Sequence, residues 1–238
     1  MPTTSRPGAH PSFSRRTLLQ HAGIGAVALS TLGWSARPVA AAAPPSDGER
    51  LTPDASWQRL LDGNRRYVDG KPLAPHRDAA RRAEVGETQR PFAAMLGCAD
   101  SRVPLEIVFD EGIGDLFVVR NAGNVTTPEV IASLEYGTLV LGAAVLVVVG
   151  HSACGAVKAT IAADAVPGQI SSLYQHIMPA VDRAGKDLDG AIKANVSIQM
   201  RTLSQASTVI AGLVRDGKLA VRGIVYDIKS GRITPVEA

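Results

Sequence analysis

The apolar run AAVLVVVG at 143–150 constrains the fold of this chain more than any other segment. The run is continuous and rich in valine, which is typical of a strand that is buried on both faces. Such strands lie at the centre of parallel sheets, where helices cover the sheet on both sides. The run therefore predicts an α/β fold in which this segment is a central strand.

The other segments indicate strands that alternate with helices. PFAAMLG at 91–97 and LFVVR at 116–120 predict two further strands, and residues 219–236 predict a last strand with a turn at Ser230 and Gly231. Helices are expected at 54–70, 126–142, from 152 onwards, at 170–184 and, as one long or two consecutive helices, at 187–217. We therefore predict a mostly parallel central β-sheet flanked by helices, a Rossmann-like three-layer fold with an N-terminal helical arm.

The first 43 residues predict an export signal. They contain SRRTLL at 14–19, an apolar stretch at 22–36 and the small-residue run VAAAA at 39–43, in that order. This order is typical of a twin-arginine signal peptide. The apolar stretch is shorter than the roughly 20 residues that span a bilayer. We therefore expect cleavage near Ala42 and no stable membrane anchor afterwards, and an uncleaved anchor is the alternative.

The predicted export signal accounts for the positive net charge of the chain. The whole sequence carries 25 Lys and Arg against 22 Asp and Glu, a net charge of +3. Residues 1–43 hold four of the arginines and no acid, so their removal leaves a net charge of −1. No basic patch then remains, and a nucleic-acid partner is not expected. We predict a signal peptide at 1–43, a linker at 44–52 and a single domain at 53–238, exported across the bacterial inner membrane to the periplasm or the medium.

The two cysteines of the chain follow predicted strands. Cys98 comes directly after the strand at 91–97, and His151 and Cys154 come after the strand at 143–150. Because ligands of open α/β sheets bind outside the carboxyl ends of the strands, we expect these three side chains to meet. Two thiolates and one imidazole are three zinc ligands that leave a fourth position open, as in catalytic zinc sites. The first turn of a helix, in which we place Cys154, would also stabilise its thiolate.

A disulfide between Cys98 and Cys154 is the alternative. The predicted destination is oxidising, and two cysteines are an even number. The twin-arginine route carries chains that fold and load their metal before export, and this favours zinc over the disulfide. The residues alone leave both possibilities open.

Four ordered motifs resemble those of the β-class carbonic anhydrases. They are CADSR at 98–102, FVVRNAGN at 117–124, SLEYG at 133–137 and GHSACGA at 150–156, with looser matches in NVSIQM at 195–200 and GIVYDIKSG at 223–231. The resemblance implies zinc-dependent, reversible hydration of carbon dioxide to bicarbonate and a proton. It also implies one Zn²⁺ per subunit, held by Cys98, His151 and Cys154. Zinc lowers the pKa of a bound water, so that hydroxide is available as the nucleophile.

The resemblance also assigns roles to residues beside the metal. Asp100 would accept a hydrogen bond from the hydroxide, and Arg102 would hold that carboxylate bidentately. If the pair opens, Asp100 can become a fourth zinc ligand and close the site, and the sequence does not say which state is preferred. Members with an inhibitory bicarbonate site have a tryptophan where this chain has Met95, which argues against that form of regulation.

Gln89, Phe117, Ala122 and Tyr136 stand at positions that contact bicarbonate or line the apolar part of the pocket in plant-like members of the family. Such a lining suits a small apolar substrate. Phe117 and Tyr136 are equally expected as ordinary core residues, because buried aromatic side chains usually serve packing.

The remaining expectations concern assembly and alternatives. Arg120 and Asn121 are expected to tie the loop after their strand, and neither His76 nor His176 has a motif that marks a proton shuttle. Family members build their sites at a dimer interface on which the N-terminal helix packs, so a homodimer or a dimer of dimers is expected. Hydrolysis of carbon disulfide or carbonyl sulfide on the same scaffold, or a non-catalytic zinc-binding protein, are the alternative functions.

Overall fold

A computed structural model describes residues 50–237. The predicted export signal and the linker as far as residue 49 lie outside the described residues. The elements in chain order are α1 Pro53–Val68, α2 Ala79–Glu84, β1 Ala93–Cys98, α3 Leu105–Val108, β2 Leu116–Asn121, α4 Pro128–Glu135, a π-helix Tyr136–Val140, β3 Val145–His151, α5 Gly155–Ala162, a 3₁₀-helix Ile170–Leu173, α6 Tyr174–Ala184, α7 Leu188–Ala206, α8 Thr208–Arg215, β4 Ala220–Tyr226 and β5 Ile233–Val236.

The strands form a sheet in the order β2-β1-β3-β4-β5. The first four strands in this order are parallel to their neighbours, and β5 pairs antiparallel with β4 at the edge. The predicted mostly parallel sheet is therefore confirmed, with β3 as its fully buried central strand. The chain runs from β1 outward to β2 and then returns past β1 to form β3. The strand order thus reverses between β1 and β3, and such a switch point is where α/β proteins bind their ligands.

Apolar side chains cover both faces of the sheet. On one face Met95 packs in a cluster with Leu60 of α1, and on the other Leu96 packs in a cluster with Val196 and Leu203 of α7. Successive side chains of a strand point to opposite faces, which is why the neighbours Met95 and Leu96 belong to different clusters. The two layers of helices hold the carboxyl ends of β1 and β3 between them.

Helix α1 is tied to its own domain. It begins after Thr52, whose hydroxyl accepts a hydrogen bond from the N–H of Ala55 at 3.2 Å. The buried Asn64 donates from Nδ2 to the carbonyl oxygens of Val108 at 3.1 Å and Gly231 at 2.9 Å. The expected N-terminal arm therefore packs on the sheet of its own chain, and its contact with a second copy stays a prediction.

A methyl group at Gly63 is expected to destabilise this packing. The Cβ of Gly63→Ala would overlap the carbonyl oxygen of Phe109, so α1 would have to move away from the end of α3. We expect the free energy of unfolding to fall by about 2–3 kcal/mol in chemical denaturation. Gly212→Ala in α8 is the matched control, because its nearest new neighbour lies 3.6 Å away. That variant should gain about 0.5–1 kcal/mol, and equal stability of the two variants would contradict the role of Gly63.

Two helical segments differ in detail from their expected form. The helix predicted at 126–142 is an α-helix as far as Glu135 and then continues as a π-helix over Tyr136–Val140. The segment 187–217 forms two helices, because Ser207 leaves the helical conformation and caps α8. Among the helices between residues 50 and 237, none has the length and apolar character that a membrane crossing needs.

Candidate metal centre

Cys98 and His151 are the last residues of the neighbouring parallel strands β1 and β3. The pairing of Gly97 with Val149 places both side chains at the same edge of the sheet. Cys154 follows on the loop after β3. The ligand atoms of Cys98, His151 and Cys154 all lie within 4.8 Å of one another, and all three residues are buried. The structure therefore brings together the three side chains that the strand ends predicted.

Each strand has a glycine directly before its ligand. A Cβ on Gly97 would lie 2.8 Å from Cδ1 of Leu105 in α3, and a Cβ on Gly150 would lie 2.6 Å from Cγ2 of Val196 in α7. These separations are shorter than side-chain packing allows. The two helices therefore approach the sheet closely at the end that carries the ligands.

Cys154 lies at the N-cap position of α5, one residue before the first turn in which the sequence had placed it. The two thiols are not bonded to each other, so the structure does not contain the alternative disulfide. The pKa of the Cys98 thiol is lowered to about 4, chiefly because the Cys154 thiol donates a hydrogen bond to it. The pKa of Cys154 is raised by the same hydrogen bond and by burial, although the backbone N–H groups of Ala156 and Val157 act in the opposite direction.

His151 presents a free nitrogen to the two thiols. Its Nδ1 lies 3.0 Å from the carbonyl oxygen of Ser152, which can only accept, so Nδ1 carries the hydrogen. Its Nε2 is buried and has no hydrogen-bond partner among residues 50–237. Buried polar atoms without a partner are rare because they cost free energy. An imidazole lone pair beside two thiols is a donor set that suits zinc, and a metal ion would satisfy the unpartnered Nε2.

Asp100 and Arg102 form a bidentate ion pair beside these residues. Nε and Nη2 of Arg102 donate to the two carboxylate oxygens at 2.9 and 2.7 Å, and the Arg102 backbone N–H adds a third bond at 2.9 Å. The pKa of Asp100 is lowered below its usual range, chiefly because the Arg102 side chain donates to the carboxylate. Its Oδ2 lies 3.9 Å from Nε2 of His151, beyond hydrogen-bond distance. In this structure the Asp100 carboxylate is therefore paired with Arg102. The sequence had left its partner open.

Arg120 holds the backbone of this segment. Its Nε donates to the carbonyl oxygen of Cys98 at 2.8 Å, and its Nη2 donates to that of Asp100 at 2.7 Å. The Asn121 side chain exchanges two hydrogen bonds of 2.8 Å with the backbone of Val125. Asn121 therefore ties the loop after β2 as expected, whereas Arg120 ties the segment that follows β1.

The four predicted pocket residues lie at different distances from the three ligands. Ala122 is exposed and directly follows β2, whose last residue pairs with Cys98. Phe117 pairs with Ala94, four positions before Cys98, which is about 13 Å along the strand. The ring centroids of Tyr136 and Phe117 are 6.2 Å apart. Gln89 is exposed and precedes the amino-terminal end of β1, opposite the end that carries Cys98. Within one chain, only Ala122 of the four therefore lies at the edge that carries the ligands.

Comparisons with known proteins agree with this geometry. The family model described as carbonic anhydrase matches residues 93–233. A carbonic anhydrase of Mycolicibacterium smegmatis is 40% identical over 189 residues, which cover 76% of this chain and 92% of that protein. Carbonic anhydrase 2 of Mycobacterium tuberculosis is 38% identical over 188 residues, with 76% and 91% covered. The solved β-carbonic anhydrase of Coccomyxa in complex with acetazolamide is 28% identical, with a TM-score of 0.60 over 74% of this chain and 84% of that chain.

The chain belongs to the β-class carbonic anhydrases. This class consists of zinc lyases, and the Cys98–His151–Cys154 group offers the donor atoms that such a metal needs. Met95, which replaces the tryptophan of some members of the class, is fully buried in the core cluster beneath α1.

Sequence reasoning missed a second set of residues in this β-class carbonic anhydrase. The N–H of Gly123 donates to Sγ of Cys98 at 3.3 Å. The buried amides of Asn195 and Gln199 in α7 hold the loop that contains Gly123. The sequence signal that could have revealed the two amides is the looser motif NVSIQM at 195–200, which places them four residues apart on one face of a helix.

Proposed function

We propose that this protein is a zinc-dependent carbonic anhydrase that hydrates carbon dioxide reversibly to bicarbonate and a proton. The observation that carries the proposal is the buried Cys98–His151–Cys154 group, with its unpartnered Nε2, beside the Asp100–Arg102 pair. The three side chains would hold one zinc ion. When bound, zinc supplies the Lewis acidity that brings the pKa of water towards neutrality.

Asp100 provides a fixed acceptor on the substrate side of the site. Its pKa is lowered, chiefly by the hydrogen bonds from Arg102, so the carboxylate stays ionised at neutral pH and accepts hydrogen bonds without taking up a proton. Oδ1 accepts two hydrogen bonds from Arg102, whereas Oδ2 accepts one. Each carboxylate oxygen has room for about two donors, so Oδ2 keeps a free lone pair. Because Oδ2 is the oxygen nearer His151, this lone pair can orient a nucleophilic O–H next to the three ligands.

Stopped-flow hydration of carbon dioxide tests the proposal directly. The zinc-loaded protein should hydrate carbon dioxide well above the buffer rate between pH 6.5 and 9, and the metal-free protein should not. Carbonyl sulfide is the informative second substrate, because the alternative hydrolase would act on it in preference. A protein with one zinc per chain and no hydration above buffer would contradict the proposal.

We also propose that two copies complete the substrate pocket. Phe117 pairs four positions before Cys98 in its own chain and Tyr136 packs beside Phe117, so the two rings would line the pocket of a second copy. Strand β2 is the edge of the described sheet and is only partly covered. Tyr136 and Leu139 beside it are 48% and 51% exposed, and an apolar sheet edge of this kind favours association. Analytical ultracentrifugation tests the proposed homodimer or dimer of dimers.

Export by the twin-arginine route remains part of the proposal. Its support is the order of Arg15 and Arg16, the apolar stretch at 22–36 and the small residues at 39–43. The mature protein would then act in the periplasm or the medium. Amino-terminal sequencing of the exported protein tests the cleavage near Ala42.

A further inference from the structure

Two buried amides of α7 have no part in the mechanism described above. Asn195 is 1% exposed and Gln199 is 3% exposed. Burial of an amide costs free energy unless its hydrogen-bonding groups are paired. Both side chains face residues 122–126, which follow β2 and which we name the Gly123 loop.

The two amides bind the Gly123 loop at two points. Nδ2 of Asn195 donates to the carbonyl oxygen of Gly123 at 2.9 Å. Oε1 of Gln199 accepts the backbone N–H of Thr126 at 2.8 Å. Nε2 of Gln199 donates to Oδ1 of Asn195 at 3.1 Å and lies 3.3 Å from the carbonyl oxygen of His176. The amides therefore fix each other as well as the loop.

The loop in turn presents one backbone N–H to a metal ligand. Gly123 donates its N–H to Sγ of Cys98 at 3.3 Å. It does so with a φ of +80°, which residues with a side chain rarely adopt. A Cβ at this position would also lie 2.8 Å from Cδ1 of Ile177. Gly123 thus occupies a position that only glycine fills, and α7 holds its carbonyl group in place.

We propose that Asn195 and Gln199 are positioning residues, which keep the Gly123 N–H on Sγ of Cys98 and so limit how strongly this sulfur donates electrons to the bound metal. The inference rests on the proposed zinc site. Groups that hydrogen-bond to metal ligands tune the metal, and their loss typically lowers metal affinity about 10–100-fold. A hydrogen bond to a ligating sulfur lowers the energy of its lone pairs, which is how such bonds shift the potentials of metal–thiolate centres.

Cobalt substitution tests the inference spectroscopically. Asn195→Leu removes the bond to Gly123 at similar volume, and Gln199→Met removes the acceptor for the Thr126 N–H. In the cobalt-loaded full chain, both variants should shift the thiolate-to-cobalt charge-transfer band to longer wavelength, because the sulfur lone pairs rise in energy. Competition with a chelator should show a metal dissociation constant that is about 10–100-fold higher than in the unchanged protein, because the released Gly123 loop no longer holds the Cys98 sulfur in place for the metal.

Leu203→Ala is the control for loss of stability. Leu203 is buried in α7 and contacts the core beneath the sheet, not the Gly123 loop. This variant should unfold at lower temperature and keep the band of the unchanged protein. A band that stays in place in both amide variants, or that moves equally in Leu203→Ala, would overturn the positioning role alone. Absence of a thiolate-to-cobalt band from the unchanged protein would overturn the proposed metal site and this inference with it.

Discussion

Cys154→Ala is expected to remove zinc from the protein and to reduce carbon dioxide hydration to the buffer rate. The substitution leaves Cys98 and His151 as the remaining members of the buried group, and catalytic zinc sites take three protein ligands. Elemental analysis after dialysis against a chelator should find zinc in the unchanged protein and almost none in the variant. Zinc should also stop stabilising the variant, whereas the unchanged protein gains about 4 kcal/mol when free zinc is about 1,000 times its dissociation constant.

Val157→Ala is the matched control for this experiment. Val157 is buried in α5 next to Cys154 but offers no ligand atom, so its truncation should lower stability and leave the zinc content unchanged. Zinc retained by Cys154→Ala at the level of this control would show that the metal is bound elsewhere.

Asp100→Asn is expected to keep zinc and to lose most of the activity. The amide has a single acceptor oxygen and no negative charge, so it cannot accept both side-chain hydrogen bonds of Arg102 in the observed geometry. The acceptor that Oδ2 now offers beside His151 would be lost or turned away. We expect kcat/KM for hydration to fall by about 10²-fold or more, the range seen when a positioned proton acceptor is removed.

Asp216→Asn makes the same chemical change at an exposed position after α8. Its hydration rate and zinc content should equal those of the unchanged protein. If Asp100→Asn hydrates carbon dioxide as fast as Asp216→Asn, then the Asp100 carboxylate does not orient the reacting group.

The sheet and the three ligands could be predicted because their signals are local. The valine-rich run marks β3 and the run before Cys98 marks β1, and parallel strands end at a common edge. His151 and Cys98 therefore meet whatever the details of the helices. The ion pair of Asp100 with Arg102 is also local, since the two residues are two positions apart.

The supporting contacts could not be predicted, because they join residues that are far apart in the chain. Asn195 reaches Gly123 across 72 positions, and nothing in either segment reveals the partner. Two polar residues four positions apart on a helix usually form a solvated face, whereas here they are buried. For Phe117 and Tyr136 the motifs gave positions in the sequence, but the distance of Phe117 from the ligands follows only from the register of β2 with β1.

Gly97 and Gly150, which precede the ligands Cys98 and His151, also help to fix the register of the strands. Strands buried on both faces have no alternation of apolar and polar residues to prevent β1 from slipping past β3. If β1 slipped by one residue, Leu96 would meet Leu105 where Gly97 now makes room, and Cys98 would point to the wrong face. The close approach of α3 and α7 therefore penalises misaligned pairing. The close packing of the core thereby also maintains the spacing of the sulfur and nitrogen donor atoms.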